Sequence, residues 1–510
     1  MLGVNKINYK SFFFILLVIL LFKPTWLISN DSLGTGGDDL SYWIHASTLA
    51  YDYDLNYTDD HSLVHQNYHE ETNAPYHSPG SGYANSIFVK IFSLLDDKSK
   101  INEIRINPIG SYSLLGFLFG TIFYCLLGFY FFDKLIEKKG LKVYKKNIYL
   151  IVYLSTLVHF VTNRFLMAHS FEFFLVVFIF YLLETKDNFF DKYIYAQLIL
   201  AFFLLSITRP STAIYTLCLF IVYYKKIRYK FSDVLTNTFS TVVVVFLYVL
   251  GAQKIYNQNS FLLNLESNNT TASISGDLNI QWILNGFSKI PNLIFSPSLG
   301  LIWSAPVIII GIVLLFLNKN YLNKFNILSK IFIFLYLFGA FLVLFVWQGR
   351  EGSFGQRLLI GVIPFCAYQL CIFLNNKKKD FLVPLIIVAF VGHLFLYSSS
   401  DLTLKTGITL WNTQNEWAAE SYYLNLFYEI FNLENWASAF SRTIIFINVI
   451  NLFDFLDSFN IFELSQERNE NLNQYISKIN DIKILYLFLY NSIAITFALI
   501  FEKLTRSKLK

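Results

Sequence analysis

The chain has 510 residues, 55% of them hydrophobic and 15% charged, with a formal net charge of +5. Its long uninterrupted apolar runs exclude an ordinary string of soluble domains and give an all-α polytopic membrane protein as the expected fold class. The basic residues gather at the ends of those runs, where they set topology, so the positive charge does not point to nucleic acid.

In chain order, the first apolar run, 12–28, follows Lys6 and Lys10 and lacks a small-x-small cleavage pattern, so it reads as a retained signal anchor. Further runs at 109–132, 148–163, 165–183, 193–207, 210–224, 239–256, 300–317, 331–347, 358–374, 381–397 and 484–501 bring the expected count to about twelve spans, the short ones accommodated by tilt and interfacial aromatics. With that count the lysine-rich connectors at 133–146, 225–230, 319–330 and 377–379, and the C-terminal cluster 503–510, all fall on the side of the N-terminus. The positive-inside rule makes that side the cytoplasm and predicts an inner-membrane protein with both termini inside. The whole chain, 1–510, is then one integral membrane domain. Its outer connectors are 29–108, 257–299, a short one at 348–357, and 398–483, the last holding an interfacial helix at 443–455.

The four cysteines, Cys125, Cys218, Cys366 and Cys371, lie in or beside apolar runs without metal-ligand spacing and read as small apolar fillers. His61, His65 and His69 recur at helical spacing near Asp59, Asp60 and Glu70, a pattern shared by a metal-binding face and by a solvated loop; the second reading is preferred. Sequons at Asn56, Asn268 and Asn269 fall in outer connectors. No internal repeat and no inverted pair of broken spans marks a transporter.

Asp38 and Asp39 stand in a Gly-Gly-Asp-Asp turn before an expected helix at 40–51. A carboxylate there serves either as a helix cap or as a general base toward an acceptor hydroxyl. Adjacent residues diverge in direction, so only one of the two is expected to act as the base. Arg164, His169 and Glu172 fall at the outer ends of the third and fourth spans, and Arg209 in a Thr-Arg-Pro turn, where ionisable groups are costly unless paired or functional. An Arg164–Glu172 ion pair is the structural expectation for two of them.

These segments carry a resemblance. GDDLSYWIHASTLAYDYDLNYTDD and NAPYHSPGSGYANSIF, then NRFLMAHSFEFFLVVFIFYL, TRPS, SPSLGLIWSAPVIIIGI and GSFGQRLLIGVIPF, resemble in order and spacing the GT-C glycosyltransferases, in particular bacterial members related to the protein O-mannosyltransferase and aminoarabinose transferase families. The likeness covers residues from about 10 to 375. It implies a GT-C-like fold with amphipathic helices in a large first outer loop. The implied activity moves a sugar, usually with inversion, from a polyprenyl-phosphate carrier to a hydroxyl on a lipid, glycan or protein at the outer face.

Asp38 or Asp39 matches that family's candidate base, although relatives often carry Asp-Glu where this chain has Asp-Asp. His77 falls in the turn that precedes a second outer-loop helix, expected at 83–95, and is a candidate ligand. A lipid phosphate needs cations where the leaving group gathers charge. Arg357, and Arg350 beside Glu351, are the candidates, since a guanidinium grips two phosphate oxygens. No cofactor is required, and a divalent cation stays compatible. The alternative is a transporter or flippase of lipid-linked sugars that performs no chemistry.

Overall fold

The computed structural model describes residues 14–16, 18–19, 37–58, 72–162, 164–261, 290, 294, 301–346 and 357–375. Among these residues the fold is all-α. The helices are α1 (Gly37–Tyr51), α2 (Gly80–Ser93), α3 (Ile101–Ile106), α4 (Tyr112–Lys138), α5 (Lys145–Val152), α6 (Val158–Thr162), α7 (His169–Thr185), α8 (Lys192–Ser206), α9 (Pro210–Val222), α10 (Phe231–Tyr256), α11 (Leu301–Ser304), α12 (Pro306–Leu317), α13 (Lys319–Leu322), α14 (Ile327–Val346) and α15 (Ile363–Leu374).

Local chemistry sets several boundaries. The Ser111 hydroxyl accepts from the Leu114 amide to start α4, Asp191 accepts from the Tyr193 amide to start α8, and prolines open α9 and α12 at positions where no amide is needed. Gly140, at φ +65°, turns the chain after α4.

The expected twelve spans are corrected. Among the described residues three helices are long and apolar enough to cross a bilayer: Tyr112–Lys138, Phe231–Tyr256 and Arg357–Leu374. The run at 148–163 is broken by a π turn, Tyr153–Leu157, in which Ser155 leaves helical geometry while its hydroxyl bonds the Ile151 carbonyl at 2.6 Å. α8, α9 and α12, of 15, 13 and 12 residues, reach only about 18–23 Å against a hydrocarbon core of about 30 Å. Most of the run at 12–28, the runs at 381–397 and 484–501, the connectors at 348–356 and 398–483, and most of 257–299 lie outside the described residues.

The helices share a core in which α4 packs between α2 and α7, α9 against α14, and α12 against α15, where Gly311 lets the Cys366 backbone approach. α10 behaves differently. Phe231, Leu235, Phe239, Val242, Phe246 and Leu250 are all exposed along it, an apolar face as long as the helix.

Charge gathers at the two ends of the bundle. At one end Lys145 pairs with Asp133 (2.7 Å) and Glu137 (3.0 Å), and Lys139 with Glu184 (2.9 Å). Lys226 there donates to the Leu183 and Glu184 carbonyls, Ser329 to the Val222 carbonyl, and the Lys142 amide to Asn375. The basic connectors at 133–146 and 225–230 and the start of α14 therefore meet at one end, together with Asn375. Asp39, His77, Arg164, Arg209 and Tyr256 meet at the other end, in the contacts described next.

Candidate functional site

α1 begins three residues before the expected 40–51, so Asp38 and Asp39 both lie in its first turn. The Asp38 side chain lies outside what is described. Asp39 is fully buried, and Arg164 donates to its Oδ2 from both Nε, at 2.8 Å, and Nη2. A carboxylate at a helix N-terminus also faces the positive end of the helix dipole.

Arg164 opens a buried turn, Phe165–Ala168, that is anchored by Thr121 donating to the Phe165 carbonyl at 2.7 Å. Met167 of this turn bonds back to the Arg164 carbonyl through its amide and receives Arg357 Nη1 on its sulfur at 3.8 Å. Two of the guanidinium groups named from the sequence therefore meet one five-residue segment.

The segment continues into α7, where His169 Nδ1 lies 2.9 Å from Glu172 Oε2, both side chains fully buried. Thr212 donates to Glu172 Oε1 at 2.5 Å, Arg209 Nε lies 3.7 Å from Oε2, and the Tyr215 hydroxyl donates to Thr212 at 3.3 Å. The expected Arg164–Glu172 pair does not form: Arg164 serves Asp39, and Glu172 serves Arg209, His169 and Thr212. The turn at 164–168 separates the two residues and sends Arg164 to a different element. A glycine at 361 lets the Tyr215 hydroxyl and the Thr212 methyl approach, and Tyr336 bonds the Gly361 carbonyl at 2.7 Å, so the Arg357–Val362 turn rests on this cluster.

Residues 77–82 are held against α1 and the turn at 207–209 by two glycines and a histidine. The Gly80 amide bonds the Ile207 carbonyl at 2.8 Å, and a Cβ at Gly80 would collide with Ile207 and Thr208, next to Arg209. Gly82 sits against the α1 backbone at Tyr42 and Ala46. His77 Nδ1 lies 3.1 Å from the Ser41 hydroxyl, one helical turn from Asp38 and two residues past Asp39, and its ring packs on Tyr42. The His77 carbonyl accepts from His45 Nε2 (2.7 Å) and from the Tyr256 hydroxyl (2.9 Å).

A carbonyl only accepts, so His45 carries its proton on Nε2, and Nδ1 accepts from Tyr57 at 2.6 Å; Tyr57 in turn bonds Tyr83 at 2.7 Å. Burial pushes the His45 pKa down to about 3, outweighing the opposing bond to the His77 carbonyl.

Sequence reading named Asp39, His77, Arg164, His169, Glu172, Arg209 and Arg357, and all seven lie at this end of the bundle. It missed His45, Tyr57, Thr212 and Met167. Thr212 directly follows the quoted TRPS segment, and His45 is the one His, Asp, Glu, Lys or Arg between Asp39 and Asp52, the signal that would have found it. Arg350, His61, His65 and His69 lie outside the described residues. Among the described residues no group of three or more His, Cys, Asp and Glu side chains is placed to hold a metal ion. Compared with protein-family models, curated proteins and solved structures, the chain matches none.

Proposed function

We propose that this chain is a membrane glycosyltransferase that passes a sugar from a polyprenyl-phosphate carrier to a hydroxyl acceptor, with Asp39 as the general base. The observation that carries this reading is the buried Asp39–Arg164 pair, set on a segment that Arg357 also touches, at one end of a bundle of apolar helices. The acceptor oxygen attacks the anomeric carbon and its proton passes to Asp39. The bond from that carbon to the phosphate oxygen breaks, and the phosphate leaves with the bonding pair. A guanidinium suits the leaving phosphate because its fork of donors matches two oxygens. In this reading Arg164 exchanges Asp39 for the phosphate as the donor arrives, which releases the carboxylate to accept the proton.

The lysine-rich end of the bundle is cytoplasmic in this reading and the Asp39 end extracytoplasmic. In this reading α4, α10 and the Arg357–Leu374 segment cross the bilayer. Donor sugar and acceptor follow from assay. The test is transfer from a labelled polyprenyl-phosphate sugar by the purified protein in liposomes. Loss in Asp39→Asn with retention in Asp38→Asn supports the assignment. Unchanged turnover in both variants and in their double refutes it, and carrier movement across the bilayer without transfer identifies a flippase instead.

A further inference from the structure

The lysine-rich end of the bundle holds a buried polar cluster that the ion pairs there do not fully satisfy. Glu184 in the last turn of α7, Tyr223 directly after α9, Tyr321 of α13, and Tyr368 and Gln369 of α15 are all buried, Gln369 completely. Four segments of the chain thus bring together a carboxylate, three phenols and an amide. Aromatic packing closes the cluster: the Tyr321 ring lies 5.2 Å from the Phe325 ring and 6.2 Å from that of Tyr368, Tyr223 lies 5.9 Å from Phe325, and Tyr368 lies 5.3 Å from Phe180.

Part of the cluster is satisfied. Glu184 Oε1 accepts from the Tyr368 hydroxyl at 2.9 Å and from Lys139 Nζ at 2.9 Å. Lys226 donates to the Leu183 and Glu184 carbonyls, and its amine lies 4.9 Å from the centre of the Tyr223 ring. The remainder is not satisfied. Among the described residues the Tyr223 hydroxyl, the Tyr321 hydroxyl and both amide atoms of Gln369 have no hydrogen-bond partner. Yet Tyr321 stands beside both Tyr223 and Gln369, and Tyr223 beside Glu184. Buried polar atoms that sit side by side without bonding one another are ordinarily joined by a molecule between them, because bare ones forfeit the bonds they make to solvent in the unfolded chain.

The chemistry of the cluster selects that molecule. A phenol both donates and accepts, and an amide offers two protons and one acceptor oxygen. A cation would meet the Gln369 NH₂ group and the Lys139 and Lys226 ammoniums, the first of which already neutralises Glu184. An anion would meet the Glu184 carboxylate and the Gln369 carbonyl. Water is neutral, donates and accepts, and makes about three hydrogen bonds when buried. We infer that Tyr223, Tyr321 and Gln369 form an internal water site, in which one molecule or a small group of them bridges these three side chains to Glu184. α7, the end of α9, α13 and α15 are then joined at the lysine-rich end through bound solvent. The inference is independent of sugar transfer.

The experiment is X-ray radiolytic footprinting of the full chain in liposomes, in which radiolysis of a bound water oxidises the side chain it touches. Tyr149, fully buried and bonded to Asp133, is the control. The expected result is oxidation of Tyr223 and Tyr321 several-fold faster than of Tyr149, with both untouched when radicals are generated in the bulk by peroxide photolysis. Rates equal to that of Tyr149 overturn the inference, and so does attack by bulk radicals, the behaviour of an open cleft. Gln369→Met and Tyr321→Phe supply a second measurement. Each withdraws one partner of the bridge and is expected to lower the melting temperature, with the double variant losing less than the sum because both act on one bridge. A melting temperature that stays or rises in both single variants, the result of removing a bare polar group from a dry interior, overturns it as well.

Discussion

Arg164 places two guanidinium nitrogens on a single oxygen of Asp39, Oδ2, and the two residues stand 125 positions apart in the chain. As the proposed base, Asp39 should be irreplaceable: Asp39→Asn is expected to lower transfer by about 10²–10⁴-fold, the usual contribution of a positioned base, with Asp38→Asn close to wild type. Initial rates in liposomes measure both.

The same pair governs folding. Arg164→Ala leaves a fully buried carboxylate without its guanidinium and is expected to cost about 3–5 kcal/mol. Adding Asp39→Asn to Arg164→Ala removes the stranded charge and recovers most of the loss. Thermal unfolding in detergent micelles, comparing the single and double variants, reads the coupling.

His45 gives the fold a pH dependence of known sign. Its native pKa of about 3 lies below the unfolded value of 6.5, so between these limits the unfolded chain binds the additional proton. Stability is unaffected by His45 above pH 6.5 and falls on acidification below it, by about 1.4 kcal/mol per pH unit. The difference in melting temperature between wild type and His45→Gln should therefore shrink from pH 7 to pH 5. A difference that stays constant across that window would remove His45 from the account.

Two glycines with opposite surroundings test the packing of α2 on α1 against an open control in α10. At Gly82 a Cβ would lie 2.6 Å from the His45 Cβ and 2.7 Å from the Tyr42 carbonyl oxygen, so Gly82→Ala pushes α2 off α1 and is expected to cost about 1–3 kcal/mol. At Gly251 in α10 the nearest contact is an ordinary 3.4 Å to the Phe261 ring, so Gly251→Ala is expected to be neutral or to stabilise by up to about 1 kcal/mol. Melting temperatures of the two variants should move in different directions or by clearly different amounts.

Sequence reading reached the helical class and a helix after the His77 turn, expected at 83–95 and found at Gly80–Ser93. These follow from local hydropathy, charge and turn residues, which a single chain displays directly. Helix length was less legible, because apolar sequence runs straight through the π turn at Tyr153–Leu157 and the turn at Phe165–Ala168, and hydropathy does not register a change of backbone geometry. The partner of Arg164 was hidden for the same reason. Proximity in sequence suggested Glu172, whereas the turn between them and the distant arrival of α1 supply Asp39.

The stretch from Arg164 to His169 holds Asp39 through the guanidinium at one end and Glu172 through the imidazole at the other, and Thr121 anchors the Phe165 carbonyl between them. Two buried carboxylates on different helices therefore depend on the length of one short tether, and an insertion within it is expected to unseat both together.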